Sequence, residues 1–307
     1  MVGETTRLGA QKRFDWMHCT KHRVILIGGA VVALLSTRLE ACTLWGAAGD
    51  PSAGGTIVAK NRDWKPDHQQ ILRWIRPEAG FAYFGIFTVY EGKSNEGLVA
   101  GINEKGLTVF TAATNIPRDK WGKNPGKLSF ACEFLSRYPS CDDILANQDE
   151  IFPALRPTFI MIADRHKILM VEVGIGGAYA LKVVKNDVVA HANHYLEHPL
   201  ANMNPPISDS SRCRFARINE LLNGTPKPYG TASFVTISKD QHRGPDNSLW
   251  RTGKIARTLA SWIVETPAQG PPSVRVVLIN PGREEATHHF VLDATFWQKA
   301  SRNQTSD

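Results

Sequence analysis

A cysteine at residue 42 follows Leu39-Glu40-Ala41, so a cut after Ala41 would leave a thiol and a free α-amine on one residue. That combination carries its own chemistry. An α-amine has an unperturbed pKa of about 7.7–8.0, against about 10.4 for lysine, and so accepts a proton near neutrality without a histidine. The thiolate can attack an acyl carbon while its own amine moves the proton. The developing oxyanion needs fixed N–H donors, from Asn side chains or backbone amides. The amine needs an acid to orient it, and Asp63 is the candidate. Thr43 to Ala47 reads as a short strand, Asp50 to Gly55 as a turn, and Thr56 to Trp64 as the returning strand of a hairpin. That hairpin brings residues 60–63 back alongside Cys42.

The stretch before Cys42 fits such a cut. Lys21-His22-Arg23 precedes an apolar run of 13 residues, Val24 to Ser36. The run falls short of the about 20 residues that span a bilayer and has the form of a secretory signal. Residues 1–41 are therefore read as a signal peptide, with residues 1–16 an upstream extension because Met17 stands just before the basic segment. Residues 42–307 are read as a single domain, exported to the periplasm or secreted, with signal peptidase as its maturation partner. A rival reading uses the same residues. Leu39 and Ala41 also suit a lipobox, which would make the chain a lipid-anchored envelope protein that binds small acyl compounds. The two fates exclude each other, because acylating the amine of Cys42 removes the base.

Composition excludes other classes. The formal net charge is +7, and the leader inflates it: beyond residue 41 there are 30 Lys/Arg against 26 Asp/Glu. A mild excess with no basic run argues against nucleic acid. His191, His194 and His198 cross a strand end and a loop, with no acid or Cys in a recognised metal spacing, so no metal is implied. No organic cofactor is implied either. Cys19 belongs to the leader. Cys132 and Cys141 are either a disulfide, which export would permit, or buried thiols. Homo-oligomerisation is left open.

The elements needed to position the nucleophile follow from pattern. Phe81 to Tyr90, Leu98 to Ile102 and Leu107 to Ala113 read as strands, with Asn103 to Gly106 a structural turn. Residues 128–138 and 142–152 read as helices. Phe159 to Asp164, Ile168 to Val173, Tyr179 to Val184 and Val188 to Ala192 form another antiparallel set. A helix from about Ser210 to Leu222 stops at Asn223-Gly224. The last third adds runs at Ala232 to Ile237, Thr258 to Val264 (a helix or a strand), Val274 to Ile279 and His288 to Leu292. Many antiparallel strands with helices in separate blocks indicate an α+β layered domain.

Several pieces, in order, resemble one family. Cys42-Thr43, Ala59 to Trp64, Gly101 to Leu107, Thr114-Asn115-Ile116-Pro117, Ala192 to Tyr195 and Ser210 to Arg217 are similar to the N-terminal-nucleophile hydrolases of the choloylglycine hydrolase and penicillin V acylase group. The likeness is strongest to the acyl-coenzyme A:6-aminopenicillanic acid acyltransferase branch. The resemblance implies a four-layer αββα sandwich and hydrolysis of linear amides in N-acyl compounds, with acyl transfer as a second outcome. By the same resemblance Cys42 matches the nucleophile and Asp63 the carboxylate holding its amine. Asn115 matches a residue of the oxyanion hole, Asn193 the asparagine that holds the amine and the substrate amide, and Arg214 the arginine completing the site. Lys60 stands where the bile-salt enzymes carry Arg, a change that keeps charge but loses the planar fork. Arg62 is expected on the opposite face of the strand, as a poor substitute. Gly55 to Asn61 also resembles the pattern of Cys-nucleophile dipeptidases, a further enzymatic reading.

Overall fold

Short apolar and alternating runs punctuated by glycine turns pair into two antiparallel sheets. The computed structural model describes residues 41–90, 93–123, 125–127 and 129–302, so the leader expectations lie outside the described residues. The first sheet has six strands. They are β1 (Ala41–Ala48), β2 (Thr56–Trp64), β10 (Val188–His191), β11 (Arg257–Thr266), β12 (Ser273–Leu278) and β13 (Ala286–Val291), in the order β10-β1-β2-β11-β12-β13. The second sheet is a seven-stranded meander in chain order. It runs through β3 (Gln69–Ile75), β4 (Tyr83–Tyr90), β5 (Lys93–Asn103), β6 (Thr108–Ala112), β7 (Thr158–Ala163), β8 (Ile168–Val173) and β9 (Tyr179–Val184).

Each sheet buries both faces, which explains why its strands read as apolar runs rather than clean alternation. Leu44, Val58, Phe84, Phe110, Met161 and Trp262 pack between the sheets. On the outer face of the second sheet, α1 (Phe130–Arg137), α2 (Cys141–Ala146) and α3 (Gln148–Ile151) set Phe134, Leu135 and Ile144 against Val109 and Ile160. On the outer face of the first, α4 (Asp209–Gly224) and α5 (Thr231–Ser238) set Ile218, Leu222 and Phe234 against Trp45 and Ile57. Full burial of each such side chain stabilises by about 1.5–3 kcal/mol, so every layer contributes. The result is the α+β, four-layer αββα sandwich. Two further α-helices follow, α6 (Gly244–Asn247) and α7 (Ala294–Arg302).

The β1–β2 hairpin is closed by residues that only glycine can supply. Gly49 has φ 72°, and a Cβ there would lie 2.6 Å from the Lys185 carbonyl oxygen. Its N–H donates to the Gly55 carbonyl at 2.9 Å, locking the turn. Asn103 is a structural turn residue: its Oδ1 accepts from the N–H groups of Lys105 and Leu107, and its Nδ2 donates to the carbonyls of Leu135 and Tyr138.

One strand differs from the sequence reading, and one choice it left open is decided. Strand β3 was not anticipated, because its residues are divided between two cores: Leu72 and Trp74 face one, Ile71 and Ile75 the other. Of the two alternatives left open for Cys132 and Cys141, the structure has free thiols. The Cys141 Sγ donates to the Lys167 carbonyl at 3.7 Å, and burial pushes its thiol far above the ordinary range.

Candidate active site

The site is built on the register of β1 against β2. Ala41 pairs with Asp63, Cys42 with Arg62, Thr43 with Asn61 and Leu44 with Lys60. Cross-strand partners share a face and neighbours along a strand alternate. Cys42, Lys60, Arg62 and Trp64 therefore face the space between the sheets. Thr43, Asn61 and Asp63 face the helical layer of α4 and α5. The expectation that Arg62 turns away from Lys60 is corrected by this geometry, since residues two apart on a regular strand lie on one side.

Cys42 is held through its backbone. Its N–H donates to Asn193 Oδ1 at 3.0 Å, and its carbonyl accepts from Arg214 Nη1 at 2.7 Å. The same Nη1 donates to Thr43 Oγ1 at 2.8 Å, while Arg214 Nη2 donates to Asn193 Oδ1 at 2.9 Å. One guanidinium thus ties the backbone of Cys42 to the asparagine that receives its nitrogen. Arg214 rides on α4, whose first turn is capped by Ser208 accepting from the Ser211 N–H. Burial lowers the Arg214 pKa to about 10, opposed by the negative charge of Asp63, so the group stays cationic at neutral pH.

Asn193 is itself fixed on three sides. Its N–H donates to Ser211 Oγ at 3.0 Å and its Nδ2 donates to the Ala113 carbonyl at 2.7 Å. Ser211 Oγ also lies 2.8 Å from His194 Nδ1. Just upstream, the buried His191 Nε2 meets Glu172 Oε1 at 2.9 Å, and Glu172 accepts from the N–H groups of Leu196 and Glu197. These histidines brace the segment that carries Asn193. Among the described residues there is no cluster of three or more side chains able to hold a metal.

Asp63 is fully buried. Its Oδ1 accepts from Thr258 Oγ1 at 2.7 Å, and its Oδ2 has no hydrogen-bond partner among the described residues. Burial pushes this carboxyl above the usual carboxylate range, opposed by Arg251, Arg214, the Thr258 hydroxyl and Arg62. A carboxyl with one open oxygen thus lies on the residue paired with Ala41, the position just before Cys42. Lys60 spans the two sheets: its Nζ donates to the Val99 carbonyl on β5 at 2.8 Å and to the Thr111 carbonyl on β6. Burial lowers its pKa to about 8, with Cys42 pulling the other way.

Asn115 is the exception. Its side-chain amide donates to Asn204 Oδ1 at 3.1 Å, and the cavity wall passes through Ala113 and Thr114 but not through Asn115. The structure joins Cys42, Asn193 and Arg214 directly and sets Asp63 and Lys60 on the paired strand, while the Asn115 amide donates to Asn204. The cavity beside Cys42 is about 540 Å³. Leu98, Val99, Phe130, Ala131 and Pro157 form its apolar wall. Thr258, Ser211 and Thr43 were missed as site residues, because single hydroxyl side chains carry no motif of their own.

A buried cysteine on an interior strand of an αββα sandwich is thus gripped through both of its backbone groups. The chain belongs to the acyl-coenzyme A:6-aminopenicillanic acid acyl-transferase family, whose sequence profile matches residues 52–270, more than half of its length. The matched stretch contains Lys60, Asp63, Asn115, Asn193 and Arg214 and begins after Cys42. No curated protein matches the chain in sequence. Among solved structures, the chain is similar to a penicillin V acylase from Agrobacterium tumefaciens at 13% identity and TM-score 0.49, covering 83% of this chain and 89% of that one. It is also similar to a variant of a conjugated bile acid hydrolase from Clostridium perfringens, at 14% identity and TM-score 0.45, covering 80% and 97%.

Proposed function

We propose that this protein is an exported amidase that hydrolyses linear amide bonds of N-acyl compounds, with Cys42 as an N-terminal nucleophile freed by removal of residues 1–41. The observation that carries the reading is the grip on Cys42: its nitrogen on Asn193, its carbonyl on Arg214, and the open Asp63 Oδ2 beside the position of Ala41. Freeing the amine adds donors at a point where an unfilled buried acceptor waits. In the mechanism, the amine of Cys42 takes the thiol proton and the sulfur attacks the amide carbon. The ammonium, held by Asn193 Oδ1 and Asp63, returns a proton to the leaving nitrogen as the C–N bond breaks. Water then attacks the thioester and releases the acid. Backbone N–H groups of the 113–115 segment, rather than the Asn115 side chain, are the oxyanion donors in this scheme. An acceptor amine in place of water would make the reaction an acyl transfer. Water is the acceptor an exported enzyme meets most.

The lipid-anchor reading fits the geometry poorly. Cys42 is 3% exposed and its side chain points between the sheets toward the cavity, whereas an anchoring diacylglyceryl group has to reach out to a membrane surface. The test is turnover of N-acyl amides of graded chain length by protein beginning at Cys42. Release of free amine, lost by about 10³-fold or more in Cys42→Ala, is the expected outcome. A Cys42→Ala protein that keeps the wild-type rate would overturn the proposal.

A further inference from the structure

Four cationic side chains line the cavity beside Cys42: Lys60, Arg62, Arg118 and Arg156. Among the described residues no carboxylate lines it. The four are not equivalent. Lys60 spends its donors on two backbone carbonyls. Arg118 and Arg156 both lie against the Trp121 indole, at 5.9 and 5.4 Å from its centroid. Arg62 is 7% exposed and paired directly with Cys42 across β1 and β2. Its guanidinium lies 4.4 Å over the Trp64 ring, its Nε is buried without a hydrogen bond, and among the described residues it makes no ion pair. A guanidinium has five N–H donors. A buried N–H donor left unfilled is costly, and the Arg62 Nε is such a group and calls for an explanation.

We infer that Arg62 is the substrate's anion-binding residue, and that the amide cleaved at Cys42 is an N-acylated amino acid whose carboxylate pairs with the Arg62 guanidinium. This rests on the amidase reading above and names its substrate class. Arg62 is paired with Cys42 across the strands and both line one cavity, so a substrate whose amide carbon reaches Cys42 can present an anion to Arg62 within that cavity. An α-carboxylate, two bonds from the scissile nitrogen, is such an anion. The planar fork accepts a carboxylate through two parallel hydrogen bonds, and the Trp64 face holds the fork flat. The acyl group then lies along Leu98, Phe130, Ala131 and Pro157, the apolar part of the same cavity. Arg118 and Arg156 add positive potential on the facing wall, which favours entry of an anion.

The experiment compares N-acyl-alanines with their matched neutral N-acyl-alaninamides, for wild type, Arg62→Gln and Arg62→Lys. Wild type is expected to prefer the carboxylate by about 10–100-fold in kcat/KM, mostly through KM, as hydrogen bonds to a charged group allow. In Arg62→Gln that preference collapses, and Arg62→Lys restores part of it. Absence of preference in wild type, or a preference kept in Arg62→Gln, overturns the inference. Calorimetric binding of the same pair to Cys42→Ala protein, with and without Arg62→Gln, decides the point separately from turnover. Carboxylate-selective binding that needs Arg62 supports the inference even if no amide is cleaved, in which case the amidase reading alone fails. Equal binding of both compounds overturns it.

Discussion

The two faces of β2 are built from the same strand and do opposite things. Toward the helices, Asn61 and Asp63 are almost wholly consumed. Asn61 Nδ2 donates to the carbonyls of Ser238 and Leu249, its Oδ1 accepts from Ser238 Oγ, and Asp63 accepts from Thr258. Only the Asp63 Oδ2 is left over. Toward the cavity, Lys60 is tied to the second sheet, while Arg62 lies over Trp64 with its buried Nε unspent. Each face thus keeps one polar group in reserve, and the two reserves are of opposite charge. The acid is placed to receive an amine of the protein itself, and the base to receive an anion from outside. A single hairpin therefore separates orientation of the nucleophile from recognition of the substrate.

That division can be broken from the helical side first. Asp63→Asn keeps the side-chain shape and an oxygen for Thr258 but removes the charge. The account expects kcat/KM to fall by about 10²–10³-fold, the scale of losing an orienting acid. Because burial raises the Asp63 pKa, the ionised form costs native stability at neutral pH, and the neutral amide relieves that cost. The melting temperature is therefore expected to hold or rise while activity collapses. A matching loss of both would make Asp63 merely structural.

The cavity side is sharpened by Lys60 and pH. A lysine lowered from 10.5 to about 8 is protonated at a cost below pH 8 in the native state. Between pH 8 and 10.5 the unfolded chain binds the proton and the native chain does not, so native stability rises with pH across that window. Relative to Lys60→Met, wild type should gain up to roughly 3 kcal/mol over this range in denaturant titrations. A pH-independent difference would show that Lys60 does not titrate there. The smallest effect is expected at Asn115. Its amide is engaged with Asn204 and is absent from the cavity wall, so Asn115→Ala should lower kcat by less than about tenfold, well under the about 10²–10³-fold loss of a true oxyanion-hole donor.

Legibility in the sequence followed distance along the chain. The hairpin that returns Asp63 to Cys42 was readable because its strands, glycine turn and charges lie within about 20 residues, where local pattern and turn chemistry decide the outcome. Asn193 and Arg214 were readable only through resemblance to a family, since nothing local marks an asparagine at a strand end or an arginine on a helix. Thr258, 195 residues from Asp63, was not readable at all. Its role arises from the β2–β11 register, which no local signal encodes. Arg62 was set on the wrong face through strand parity, and that error hid a buried guanidinium whose Nε has no hydrogen bond and which lines the cavity beside Cys42. Glu172 likewise gave no sign that it would pin the backbone leading out of Asn193.

The claim on which the rest depends is that a free amine on Cys42 exists and that its thiol forms the acyl-enzyme. Intact-mass analysis of the protein recovered from its native host, before and after rapid quenching with an N-acyl amide, tests both at once. The account predicts a chain beginning at unmodified Cys42, which gains one acyl group on that residue during turnover and none in Cys42→Ala. A chain that keeps residues 1–41, carries a diacylglyceryl group on Cys42, or turns over substrate with no acyl group on Cys42 would contradict it.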